Sequence, residues 1–179
     1  LNRGGNRRIN RALYTIAITQ TRHEPRAADY LARKRSSGHT RRGALRCLKR
    51  RLSDVIYRTM LEDESGISPE IISERGYRAV ISKEELERLG FSPAQRRVPG
   101  LLIPVFDVTG NIATYQLRPN VPRLDKKGKP LKYETPAGSK MVLDVHPSVR
   151  HLLADPKTDL FVTEGVKKGD ALASRRECY

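Results

Sequence analysis

The sequence predicts an α+β protein: an N-terminal bundle of three basic helices, then a small α/β region containing a β-hairpin. Three observations predict it. Residues 1–60 hold 16 Lys+Arg against 3 Asp+Glu, whereas residues 61–179 hold 19 against 17. Apolar residues recur at helical spacing through the first third. Further on, an apolar run turns back on itself around residues 109–111.

The first helix is expected within "NRRINRALYTIAITQTR" (6–22). Ile9, Leu13, Ile16 and Ala17 make one apolar stripe there, and Arg3, Arg7, Arg8 and Arg11 crowd its start. Pro25 suits the first turn of a second helix carrying Tyr30 and Leu31. "SSGHT" breaks that helix. A third follows Thr40, with Leu45, Leu48, Leu52, Val55 and Ile56 inward and Arg42, Arg46, Lys49 and Arg50 largely elsewhere on its surface.

Solvated helix faces would account for any one of these arginines. Sixteen cations against three anions in residues 1–60 argue instead for DNA or RNA as a partner, because only a polyanion relieves such repulsion. Arginines at a helix N-terminus also oppose the macrodipole, which an incoming phosphate relieves. The rest of the composition excludes other classes. The chain has 179 residues, 37% hydrophobic, with no Trp, so its core is modest and aliphatic. Cys47 and Cys178 lack C-x-x-C spacing, which reads as a reduced, cytoplasmic protein without a zinc site. No apolar run approaches the roughly 18–20 residues of a membrane span, and no signal peptide opens the sequence. The initial Leu suggests a cut end.

The blocks "RGGNRRINRAL" and "ALRCLKRRL" closely resemble the C-terminal end of the DEDD-type insertion-sequence transposases, the kind guided by a bridge RNA. The resemblance spans residues 1–60 and implies a helical remnant facing nucleic acid. In that family the catalytic acids and serine lie upstream of the matched segment. Ser36 and Ser37 do not match the serine motif and take no role.

"LEDESG" (61–66) is an acidic junction. Beyond it, Ser68 is an expected N-cap with Pro69 at the first helical position. Ser82 with Glu85, and Ser92 with Gln95, fit two more capping boxes. Residues 67–97 therefore read as two or three short helices. Leu101–Asp107 is a strand, Thr109-Gly110-Asn111 a turn, and Ala113, Tyr115 and Leu117 alternate on the return. Pro104 suggests an edge strand or a bulge. A basic loop follows, then a short strand at 141–145, a short helix over "HPSVRHLLA" and a buried strand at 160–162. Thr163-Glu164-Gly165 turns into a last helix holding Lys167, Lys168 and Asp170. A glutamate leaving a buried strand is either a functional group of an α/β fold or a helix-start acid favouring the dipole.

The blocks "ISPEIISERGY", "KYETPAGSKM.LDVHP" and "TEGVKKGDALAS" resemble the front of a TOPRIM/primase-like domain of unknown function from plasmid and phage proteins. By that resemblance, residues 67–179 hold an incomplete TOPRIM-like sheet. Glu164 matches the glutamate that serves as general acid/base. Arg118 and Lys132 match basic positions of the nucleic-acid groove, and Lys140, with Lys126, Lys127 and Lys129, adds to it. The family's Asp-x-Asp metal pair has no counterpart before Tyr179. Glu164 and Asp170 are then at most peripheral metal ligands, and Mg²⁺ belongs only to a completed site. Besides this missing pair, the more serious departure, Tyr115-Gln116-Leu117 replaces a Gly-rich segment, and "RRECY" replaces an apolar continuation.

Together these readings predict a nucleic-acid-binding mobile-element protein. It would be a transposase tail fused to a truncated TOPRIM-like domain, not catalytic as it stands. The alternative is a fragment of a Mg²⁺-dependent primase-like nucleotidyltransferase using Glu164; a third reading is an inert remnant.

Overall fold

The computed structural model describes residues 7–175, with side chains from Arg8 onward. Arg3 and Cys178 lie outside the described residues, and of Arg7 only the backbone is described. The architecture is mixed α+β, helical first and then built on a three-stranded antiparallel sheet.

Helices α1 (Arg7–His23), α2 (Pro25–Ser36) and α3 (Arg41–Thr59) pack pairwise on one another. Glu24 caps α2, with Pro25 in its first turn. The Thr40 hydroxyl accepts the Gly43 N–H at 3.1 Å and starts α3. Ala17, Ala27 and Leu48 form the buried seam, with Tyr30, Leu31, Leu45 and Leu52 against it. The seam is narrower than the expected stripe. Leu13 and Ala17, one turn apart, face inward, while Ile16 is exposed.

Val55 and Ile56, expected inward, are also exposed. The reason is that α3 changes partners along its length. Up to Leu52 it faces the other helices; from Ser53 it faces strand β1 (Arg78–Val80), burying Ser53 and Tyr57. A wide π-helical turn, Met60–Glu64, continues the helix. The stretch expected as a junction therefore carries a core residue. Leu61 joins Tyr57, Ile67, Ile71, Ile72, Leu101 and Ile103 in the largest buried cluster.

Ser68 caps α4 (Pro69–Arg75), and Gly76 closes it in the left-handed conformation at φ 75°. The chain then forms β1, which sequence reasoning passed over, and α5 (Lys83–Arg88), capped by Ser82. At Ser92 the expected helix is only a turn. The Gln95 side chain does accept the Ser92 N–H, at 3.0 Å. Val98 precedes Pro99, however, a position that disfavours helix and stops propagation.

Strand β2 (Gly100–Phe106) is central, flanked by β1 and by β3 (Ile112–Pro119), so Pro104 is not on an edge strand. It is tolerated because β1 pairs only with Gly100, Leu101 and Leu102, leaving that side of β2 open at Pro104. A register shift, the other possibility raised by Pro104, does occur at Val105/Phe106. A β-carbon at Gly100 would lie 3.0 Å from the Arg118 carbonyl oxygen, tighter than nearly all such contacts, so a side chain there would press on the β3 backbone. Leu101, Ile103 and Val105 point into one cluster; Leu102 points into another with Val80, Leu86, Phe91, Val98 and Leu117.

Two expected strands are absent. Residues 141–145 form no regular element and meet β2 at their end, where the Val145 N–H donates to the Phe106 carbonyl at 3.1 Å. Residues 160–162 have no strand partner, and Leu160, Phe161 and Val162 are 70%, 56% and 74% exposed. An apolar, β-branched run forms a strand only when a neighbouring edge accepts its backbone. "HPSVRHLLA" forms a 3₁₀ turn, Pro147–Leu152. The last helix, α6 (Val166–Ala173), returns to the core through Val166 and Ala173. The Ser174 hydroxyl next to it accepts the Ser68 N–H at 2.9 Å, tying α6 to the start of α4.

Candidate nucleic-acid interface and a buried charge cluster

Arg8, Arg11, Arg42 and Arg46 are exposed on α1 and α3. Lys49 is half-buried between these two helices, its Nζ 3.5 Å from Asn10 Oδ1. Burial, and then repulsion from Arg46, lowers its pKa. Arg50 departs from the expected set: its guanidinium pairs with Glu85 of α5. Behind them, Lys34 and Arg51 both stand over the Tyr30 ring, 5.8 and 5.6 Å from its centre.

Arg118 is half-buried on β3, with its guanidinium over the Tyr133 ring at 5.8 Å. It lies near Lys167 of α6, whose pKa is lowered by burial and then by Arg118. Tyr57 joins the same region. Its hydroxyl donates to Asn120 Oδ1, and burial pushes its pKa up to about 12. Lys132 is exposed on the loop beside Tyr133. Lys140 is exposed and lines a cavity of about 630 Å³, whose wall also includes Glu164 and Asp170.

The two candidate carboxylates have opposite surroundings. Glu164 is 81% exposed and bonded to Lys168 one turn on, which holds its pKa below the usual carboxylate range. Asp170 is 0% exposed. Arg75, itself 1% exposed, donates to both Asp170 oxygens, through Nε at 3.0 Å and Nη2 at 2.5 Å. The Tyr77 hydroxyl donates to Asp170 Oδ2 at 2.6 Å. Arg75 Nη1 reaches Asp144 Oδ1 at 2.6 Å, and that oxygen also accepts the Phe106 N–H at 2.9 Å. Burial opposes the charge on Arg75, but the two carboxylates outweigh it and raise its pKa. Tyr77 is raised as well, by burial and then by Asp170. His146 is buried beside this cluster, Nε2 against the Ile71 carbonyl at 3.1 Å, and burial lowers its pKa.

These residues do not fit a magnesium ion. Mg²⁺ needs several free oxygen ligands, while both Asp170 oxygens are bound to Arg75 and Tyr77 and Glu164 is bound to Lys168. Among the described residues, no group of three or more His, Cys, Asp or Glu is arranged to hold a metal. No helix among them is long and apolar enough to cross a membrane. Comparison with protein-family models, curated proteins and solved structures found no match.

Arg75, Tyr77, Asp144 and His146 were missed by sequence reasoning. Arg75 sits in the last turn of α4, where a basic residue ordinarily complements the helix dipole. Its partner is 95 residues away, and no local signal joins them.

Proposed function

We propose that this chain is a nucleic-acid-binding protein of a mobile element, gripping the phosphodiester backbone of DNA or RNA through its basic helices. One observation carries the reading: 16 Lys+Arg stand against 3 Asp+Glu in residues 1–60, and Arg11, Arg42 and Arg46 from that set are exposed. Contacts of this kind fix position on the backbone without reading bases. Arg118, with Lys167 nearby, and exposed Lys132 and Lys140 supply further cations beyond the bundle. The transposase-tail and TOPRIM-like resemblances support the mobile-element part of the proposal and rest on the quoted motif blocks. The acid/base role for Glu164 is not part of it, because its carboxylate is tied to Lys168 and, among the described residues, no group arranged to hold a metal accompanies it.

The experiment is a salt titration of binding to a 20-bp DNA duplex and to a matching RNA. A log–log slope of about −0.9 for each DNA phosphate contacted is expected. Binding that is absent at low salt for both nucleic acids overturns the reading.

A further inference from the structure

Arg50 and Arg78 come from different elements, α3 and β1, and close on opposite oxygens of one carboxylate, Glu85. Arg50 Nη2 takes Oε2 and Arg78 Nη1 takes Oε1. The two guanidiniums remain partly open to solvent, with side chains 39% and 38% exposed. Arg46 adds to the field, since its charge reaches the neighbouring Glu84. Glu84 and Glu85 thus stand against the same stretch of α3 that carries Arg46 and Arg50.

Two guanidiniums that each hold one oxygen of a carboxylate can in the same way each hold one oxygen of a phosphate, by a charge-assisted hydrogen bond. We propose that Arg50 and Arg78 form a binding position for a backbone phosphate of DNA or RNA, which Glu85 occupies when no nucleic acid is bound. The inference rests on the nucleic-acid reading above and adds Arg78, which lies outside the basic bundle, to the interface. Glu85 then acts as a competitor within the chain. Binding displaces it, and the protein discriminates against polyanions too weak to do so.

The test compares Glu85→Gln with Glu87→Gln, in the full chain, by salt titration on the 20-bp duplex. Both variants change net charge equally. Glu87 is more exposed and pairs with Arg96 instead. Glu85→Gln is expected to tighten binding several-fold while leaving the salt slope nearly unchanged, because the same phosphate is held in both complexes. Glu87→Gln should change affinity much less. Adding Arg78→Gln to Glu85→Gln should remove the gain. Thermal melting of each variant confirms that it is folded; should Glu85→Gln not fold, Arg78→Gln alone is read, and it must weaken binding and make the slope shallower by about 0.9, an unchanged slope overturning the inference. Equal shifts from Glu85→Gln and Glu87→Gln overturn the inference while leaving the nucleic-acid reading intact. Absence of salt-dependent binding in the wild type overturns that reading instead.

Discussion

In the helical bundle the buried apolar residues up to Leu52 are Leu13, Ala17, Ala27, Ala44 and Leu48, three of them with no side chain beyond a methyl. Around the sheet, alternate residues of β2 enter two clusters that together bury Leu61, Ile67, Leu86, Phe91, Leu101, Leu102 and Leu117 among others. The sheet region also encloses a whole arginine and its aspartate. The bundle keeps its arginines outside. Apolar burial scales with area removed from water, so the sheet carries most of the stability and the bundle most of the charge. Tyr57 and Leu61, at the end of α3, anchor one to the other. The difference teaches how a thin bundle of like-charged helices is held: its third helix is rooted in a neighbour's core.

Arg75→Ala breaks the sheet side of this comparison most severely. It leaves Asp170 buried without its cation, at a cost of about 3–5 kcal/mol, read as a lower midpoint in urea unfolding. Replacing Arg75 and Asp170 together by Met and Leu should recover most of that loss. A single mutant within about 1 kcal/mol of wild type would mean that the pair does not clamp this core, since breaking a buried ion pair costs several times more.

Leu61→Ala attacks the anchor. Removing a fully buried leucine costs roughly 2–5 kcal/mol, and here the effect should spread to the bundle. Hydrogen exchange in α1 and α2 should accelerate along with exchange in β2. Acceleration confined to the sheet would show that the bundle stands without its root.

The features legible in the sequence are those set by near neighbours. Thr40, Ser68-Pro69 and Ser82 mark helix starts because a cap acts over three residues, and the 101–119 hairpin shows because its turn is local. What was illegible depends on distant partners. β1 is three residues long and exists because β2 pairs with it. The stretches 141–145 and 160–162 have strand composition but no neighbouring edge to complete it. Of the candidate site residues, exposure of Arg11, Arg42 and Arg46 follows from helical periodicity. The capture of Arg50 by Glu85 does not, because it needs α5 folded against α3. The burial of Asp170 against Arg75 was likewise illegible, because the two are 95 residues apart.

Acid sharpens the comparison more gently. His146 is buried neutral, with its pKa below the ordinary 6.5 because burial penalises the imidazolium. Between the folded and unfolded values the unfolded chain binds more protons, so stability rises with pH there. The contribution is complete above about pH 6.5 and fades as pH falls through that value. His146→Gln should flatten the unfolding midpoint between pH 7 and 5; a wild-type profile already flat there would contradict the assignment.

The smallest effect on stability is expected from Arg42→Gln with Arg46→Gln, and it is the one that most separates the two regions. Both side chains lie on the exposed face of α3, and surface substitutions of this kind stay within about 0.5 kcal/mol. Removing like charges from a crowded face should even raise the unfolding midpoint slightly, since the bundle repels itself. Binding should move the other way. If each arginine neutralises one phosphate, the DNA salt slope falls by about 1.8 for the pair. A region selected for packing would show the reverse, losing stability and leaving affinity alone. Stability unchanged beside a shallower slope would assign this surface to the partner, because the fold has no use for the repulsion it carries.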